Sequence, residues 1–188
     1  MYHISNDKRS KESSAWIFDA LERLMQTTAY KDIRITDICK EAKIGRVTFY
    51  RHYDTIDDIL RKGCDEKFAG LARFLFEYKK QHPDTAFFLK PFLQYWYMHP
   101  AILILLFKAD RANILSECLE KMMGHIQPAI KLVHPANEYS NYFFALRSAI
   151  PLAILAEWVK HGLNIAPDEL SDMLFNQLKD IMRFNQMT

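Results

Sequence analysis

Apolar side chains recur along this chain at intervals of three and four, and no apolar-polar alternation lasts the length of a strand, so the pattern predicts helices throughout. Ser13 or Ser14 opens the first helix, which runs to about Thr27 with Ile17, Ala20, Leu21, Leu24 and Met25 at core spacing and Trp16 and Phe18 adding bulk. The polar residues 1–12 ahead of it include Lys8, Arg9 and Lys11 and suggest a loose, fraying arm. Further on, Ile35, Ile38, Cys39 and Ala42 fall at i, i+3, i+4 and i+7, which gives a short helix with one apolar face and Thr36 as its N-cap. Lys43-Ile44-Gly45 leaves room only for a turn, and helical spacing resumes at Arg46. In this next helix Phe49 and Tyr53 lie four apart on the inward face, while Arg46, Val47, Thr48, Tyr50, Arg51 and His52 fall on the other faces. Two short helices around a tight turn read as a helix-turn-helix.

Thr55 followed three residues on by Asp58 outlines a capping box, and the helix it starts reaches His82-Pro83 without a flexible linker. Gly63 and Gly70 sit inside it, at some cost in stability or to allow close helix packing. Asp84 or Thr85 begins a helix rich in Phe87, Phe88, Phe92, Trp96 and Tyr97, with Pro91 as a kink or restart. His99-Pro100 marks a break, after which Ala101–Ala109 and Asn113–Gln127 read as helices. The spacing of Pro128–Pro135 suits either a continuation or a connector. A second long helix spans Asn137–His161, bent near Pro151 and stopped by Gly162. Pro167 opens the last helix, whose stripe is Leu170, Met173, Leu174, Leu178 and Ile181.

Composition sharpens this picture in two respects. The 188 residues are 49% hydrophobic with five glycines, enough apolar surface for a substantial all-α core in one large or two small domains. The net charge of +2 is confined to the first 62 residues, which carry 12 basic and 10 acidic side chains against 13 of each in the remainder. Between Lys40 and His52, Lys40, Lys43, Arg46 and Arg51 stand against Glu41 alone. A helix face offering Arg46, Thr48, Tyr50, Arg51 and His52 supplies donors for phosphate oxygens and base edges, and the N-terminal residues of such a helix enter the major groove of double-stranded DNA.

The run Ala-x-Ile-x-Arg-x-Thr-Phe-Tyr-Arg-His-Tyr from Ala42 to Tyr53, preceded by an amphipathic helix and followed by an acidic helix start, resembles the TetR family of bacterial transcriptional regulators over roughly residues 12 to 62. The resemblance implies a three-helix DNA-binding domain over 1–54 and a helical effector-binding and dimerisation domain over 55–188. It places Arg46 and Val47 at base-reading positions, Thr48, Tyr50 and His52 at phosphate-facing ones, and Thr36 as a contact from the preceding helix. It also implies a ligand-responsive regulator, usually a repressor, that binds a two-fold operator as a homodimer. The chain departs from the family pattern at Lys43, where a turn Gly is usual, at Gly45, where Ser or Thr caps the reading helix, at Ile56 in place of a phosphate-binding Lys, and at Arg34 in place of Thr. These departures motivate an alternative: a helical protein-interaction module of the same fold that no longer reads DNA.

For the second half, Ile154, Trp158, Leu170, Leu174 and Leu178 are the candidate dimer surface. Trp96, Phe107, Tyr142, Phe143 and Phe144 are candidate walls of a pocket for a small-molecule effector. Enzyme chemistry finds no footing: the seven histidines are scattered, and metal-binding His or Cys spacings and a Gly-rich phosphate loop are absent from the sequence, so no catalytic residue, metal or cofactor is expected. Three widely spaced cysteines and no membrane-length apolar run point to a cytoplasmic chain without disulfides.

Overall fold

The computed structural model describes residues 1–3, 7–83, 89–126 and 140–184. Among these residues lie nine α-helices: α1 Lys8–Thr27, α2 Ile35–Glu41, α3 Arg46–His52, α4 Ile56–Gln81, α5 Leu89–Met98, α6 Pro100–Lys108, α7 Asn113–Ile126, α8 Ser140–Lys160 and α9 Pro167–Phe184. A single 3₁₀ turn, Tyr30–Asp32, precedes α2, and the one extended pairing described is an isolated bridge between Tyr2 and Tyr53. The all-α class read from periodicity is the class observed.

Helix starts follow the local hydrogen-bond chemistry more closely than apolar spacing could predict. α1 begins at Lys8, five residues before Ser13, because the Asp7 carboxylate accepts the Ser10 amide at 2.9 Å. The loose-arm expectation is therefore corrected: residues 8–12 are helical, and the His3 amide donates to the His52 carbonyl at 2.8 Å. Trp16, expected to add bulk to the core, is 52% exposed. α2 likewise starts ahead of expectation. Arg34 occupies its cap position with its amide donated to Asp37 at 2.9 Å, so Thr36 is an exposed first-turn residue and not the cap. Thr55 and Asp58 do form the predicted helix start, with the Thr55 amide and hydroxyl both donating to the Asp58 carboxylate at 2.9 Å.

Three helix ends share one device. Lys43, Asp110 and Gly162 take left-handed φ angles of 54°, 56° and 71° just past α2, α6 and α8. In each case the amide of that residue and the one after it return to the last turn: Gly162 to Val159 and Leu163 to Trp158, both at 2.9 Å, are matched by Asp110 to Phe107 at 3.2 Å and Arg111 to Leu106 at 2.9 Å. The stop predicted at Gly162 is thus present, whereas Pro151 is accommodated inside α8.

The chain divides into two compact units, Met1–Phe68 with Ala101–Met123, and Ala69–Pro100 with Gly124–Thr188, where the sequence suggested a boundary at 54/55. The first is centred on the fully buried Ile17, Leu21, Ile38, Phe49, Leu60 and Leu103. In the second, α5 packs on α9, Trp96 is fully buried, and Lys90 and Gln94 reach the Asp168 carboxylate at 3.1 and 2.7 Å.

Both α4 glycines mark close approaches. A Cβ on Gly70 would lie 2.3 Å from the Tyr95 hydroxyl, and the Tyr95 ring is itself held by Phe74 at 5.6 Å and His99 at 4.6 Å. Helix propensity alone favours Gly70→Ala by about 1 kcal/mol. Overpacking costs of about 1–3 kcal/mol run the other way and win here. Gly70→Ala is therefore expected to lower the denaturation midpoint, and adding Tyr95→Phe to recover part of the loss.

Candidate nucleic-acid interface

The helix-turn-helix is held from beneath by its apolar face. Ile38, Cys39 and Ala42 of α2 are buried, as are Phe49 and Tyr53 of the α3 segment, whose rings meet at 5.9 Å. The Tyr53 hydroxyl pairs with Ser14 of α1 at 2.6 Å, and burial pushes its phenol up to about 12. The turn closes by the pattern described above: the Lys43 amide returns to Lys40 at 3.2 Å and that of Ile44 to Cys39 at 3.0 Å. Lys43 does this in a backbone conformation that glycine adopts with less strain.

Gly45 caps α3 with its carbonyl alone, accepting from the Thr48 amide at 3.0 Å and the Phe49 amide at 3.2 Å. The outer side then carries Arg46, Val47, Tyr50 and Arg51, all exposed, with Thr48 half-buried and Thr36 exposed on α2. Val47 is 83% exposed. Arg23 pairs with Glu41 at 2.6 Å, and Asp37, the other acid of the stretch, accepts the Arg34 amide at the start of α2. Lys40, Lys43, Arg46 and Arg51 take part in no ion pair among the described residues, so the face remains basic.

His52 departs from the sequence reading. It was expected on the outer face, but it is 1% exposed and lies against α1, with Nε2 2.7 Å from the Ser13 hydroxyl and Nδ1 3.4 Å from that of Ser10. The Ser13 hydroxyl donates to the Arg9 carbonyl at 2.8 Å, which leaves Nε2–H as the donor to its oxygen. Burial lowers the His52 pKa, Arg51 and Lys62 lower it further, and Asp7 opposes them. Ser10, Ser13 and Ser14 recur at the spacing of one helix face and were the legible sign of a polar seam; the sequence reading spent them on a helix start.

The second-half candidates scatter. Trp96 is fully buried within its own unit, edge-on to Phe92 at 6.3 Å, while Phe107 is half-buried in the other unit. Tyr142 is 75% exposed, and the side chains of Phe143 and Phe144 lie outside the described residues. Trp158 and Leu170, expected on a dimer surface, are consumed internally. Trp158 stacks on Tyr97 at 5.7 Å and donates to the Ile165 carbonyl at 3.1 Å, and Leu170 is buried. Ile154 and Leu174 are half-buried, and the Leu178 side chain is not among the described residues. The apolar surface that α8 does leave open is Tyr142, Leu146 and Ile150, with Ala149 and Ala153 between them on the same side.

Among the described residues no group of three or more His, Cys, Asp or Glu is placed to hold a metal ion, and no helix is long and apolar enough to cross a membrane.

No family model matches the chain. Over 66 residues it is 36% identical to the HTH-type dhaKLM operon transcriptional activator DhaS of Lactococcus lactis subsp. lactis (strain IL1403), a stretch that covers 35% of each protein. The chain thus spans about a third of the length of the curated relative it matches. The crystal structure of Lin0861 from Listeria innocua is similar in fold, with a TM-score of 0.70 over 95% of both chains at 16% identity.

Two outcomes follow from this geometry. A Cβ on Gly45 would meet nothing within 4 Å, so Gly45→Ser is expected to add a side-chain cap and raise stability by a few tenths of a kcal/mol, about the known Gly-to-Ser difference at this position, read as a higher thermal midpoint. For His52, the unfolded chain binds a proton near pH 6.5 and the folded chain only below that. Its contribution is therefore fully present above pH 6.5 and declines as the pH falls from there through the folded-state pKa. Urea denaturation across this range is expected to show a shallower decline in His52→Gln, whose amide can still donate to Ser13.

Proposed function

We propose that this chain is a DNA-binding transcriptional regulator of the TetR type, acting as a homodimer on a two-fold operator and controlled by a small-molecule effector. The observation that carries the proposal is the reading helix itself. A seven-residue α3 buries Phe49 and Tyr53 and turns Arg46, Val47, Tyr50 and Arg51 outward beside unpaired lysines. In this reading Arg46 and Val47 meet base edges, since a guanidinium pairs in bidentate fashion with guanine and an apolar group packs on the thymine methyl. Thr36, Thr48, Tyr50 and Arg51 serve the phosphates. His52 is not among the contacts, because its ring is buried.

Two-fold operators need two reading helices roughly 34 Å apart, hence a dimer. The open α8 stripe of Tyr142, Leu146 and Ile150 replaces Trp158 and Leu170 as the surface we assign to it. An apolar strip repeated on a second copy is self-complementary in the way a two-fold interface requires. The effector site belongs to the helices around Trp96, where apolar walls favour a ligand with a sizeable apolar body. Repression is the commoner mode of the family resembled, whereas the Lactococcus relative carries the name of an activator. A reporter carrying the selected operator decides the sign.

The module that has lost DNA reading was motivated by Lys43, Gly45 and Ile56. The turn closes with Lys43 in place and Gly45 still caps α3, so of the three departures Ile56 is the one that continues to favour it.

Selection from a random duplex pool is expected to enrich a two-fold sequence whose affinity falls steeply with salt. Retention of no duplex above background sinks the proposal. Arg46→Ala should cost about 1–3 kcal/mol at one base position of each half-site and relax selectivity there, whereas Tyr50→Phe should weaken all sequences alike.

A further inference from the structure

Asp57, Arg61 and Asp65 follow one another at four-residue steps on α4 and so form one row along the helix. Arg111, Glu117 and Lys121 answer them from the α6–α7 corner and from α7, with the signs alternating on both sides. Arg111 Nε lies 3.1 Å from both Asp57 oxygens, Arg61 Nε 3.2 Å from Glu117, and Lys121 Nζ 2.6 Å from Asp65. All six residues belong to the same compact unit as the helix-turn-helix.

Each outer carboxylate also has a second, different partner. The Tyr30 hydroxyl donates to Asp57, and the Tyr2 hydroxyl donates to Asp65 at 2.6 Å. Tyr30 stands in the turn just ahead of α2, and Tyr2 is bridged to Tyr53 just past α3. The two acids therefore join the α6–α7 corner and α7 on one side to the entry and the exit of the helix-turn-helix on the other. Arg111 is fixed in turn: its amide returns to Leu106 at 2.9 Å after the left-handed Asp110, and its guanidinium sits 5.5 Å from the centre of the Tyr30 ring. Burial and the bond to the carboxylate push the Tyr2 and Tyr30 phenols well above their ordinary range, so both remain protonated donors.

Partly exposed ion pairs of this kind add little to global stability. A charge-assisted hydrogen bond forked from one N–H to both carboxylate oxygens, its acceptor shared with a tyrosine, is better suited to fixing direction. We propose that Asp57 and Asp65 are junctions through which α7 sets the orientation of the helix-turn-helix, and that Arg111 and Lys121 are positioning residues for the DNA reader and not DNA contacts. The functional half of this inference rests on the DNA-binding reading above; the structural half does not.

The test uses the full chain and two readouts: operator affinity over a salt series, and amide hydrogen exchange of residues 46–53 in DNA-free protein. Arg111→Gln and Lys121→Gln are each expected to weaken operator binding about fivefold, the lower end of known coupling effects. The slope of log affinity against log salt should stay unchanged, because no phosphate contact is lost. Exchange in α3 should accelerate while the thermal midpoint hardly moves. Arg111→Lys should recover part of the loss, and Arg111→Gln combined with Tyr30→Phe should lose less than the sum of the two, since both act on Asp57. Unchanged affinity and unchanged α3 exchange in the single variants overturn the proposal, and a salt slope reduced by about one makes the residue a phosphate contact and overturns its positioning role. Failure of the unsubstituted chain to bind any duplex removes the DNA reading instead, and the exchange arm then decides the junctions alone.

Discussion

A seven-residue helix has no stability of its own in water, because the cost of nucleation exceeds what so few hydrogen bonds return. α3 exists in this protein because its underside is anchored to α1. Phe49 and Tyr53 supply the apolar burial, and His52 and Tyr53 close hydrogen bonds to Ser13 and Ser14. Everything proposed for the outer face depends on this inner one. The freedom of Arg46 and Val47 to stand in solvent follows from the fact that neither is needed for packing.

That dependence explains which features were legible beforehand. Periodicity located the helices because core burial is what periodicity records, and it separated Phe49 and Tyr53 from Val47 and Tyr50 correctly. It failed wherever a polar side chain entered the core. His52 has the composition of a surface residue and is buried only because two serines of α1, Ser10 and Ser13, receive it, a pairing across about forty positions that no local pattern contains. Asp7 was passed over as a cap because the apolar rhythm starts later, at Ile17. In the second half, the apolar character of α8 around its whole circumference hid which side was already used. Trp158 and Leu170 were assigned outward, and Tyr142, Leu146 and Ile150 proved to be the open residues.

Charge in the first unit is distributed with a different logic from apolar surface. On α4 and α7 the pairs Asp57–Arg111, Arg61–Glu117 and Asp65–Lys121 are directional; on α2 and α3, with Glu41 taken by Arg23 and Asp37 capping the start of α2, Lys40, Arg46 and Arg51 take part in no ion pair among the described residues. Paired charges fix a shape at little cost in solubility, and unpaired ones create a field. One compact unit therefore holds both a braced side and a positively charged side, and the near-zero net charge of the chain conceals the division.

Lys43 stands where those two logics collide. Its left-handed backbone carries a strain of about 1 kcal/mol that glycine would relieve, yet it places an ammonium at the C-terminal end of α2 and beside the start of α3. Improving this turn for robustness and improving it for attraction to a polyanion are opposed aims, since the one residue that relaxes the backbone carries no charge. A variant bred only for heat resistance would be drawn to discard this lysine, and would become sturdier while losing grip.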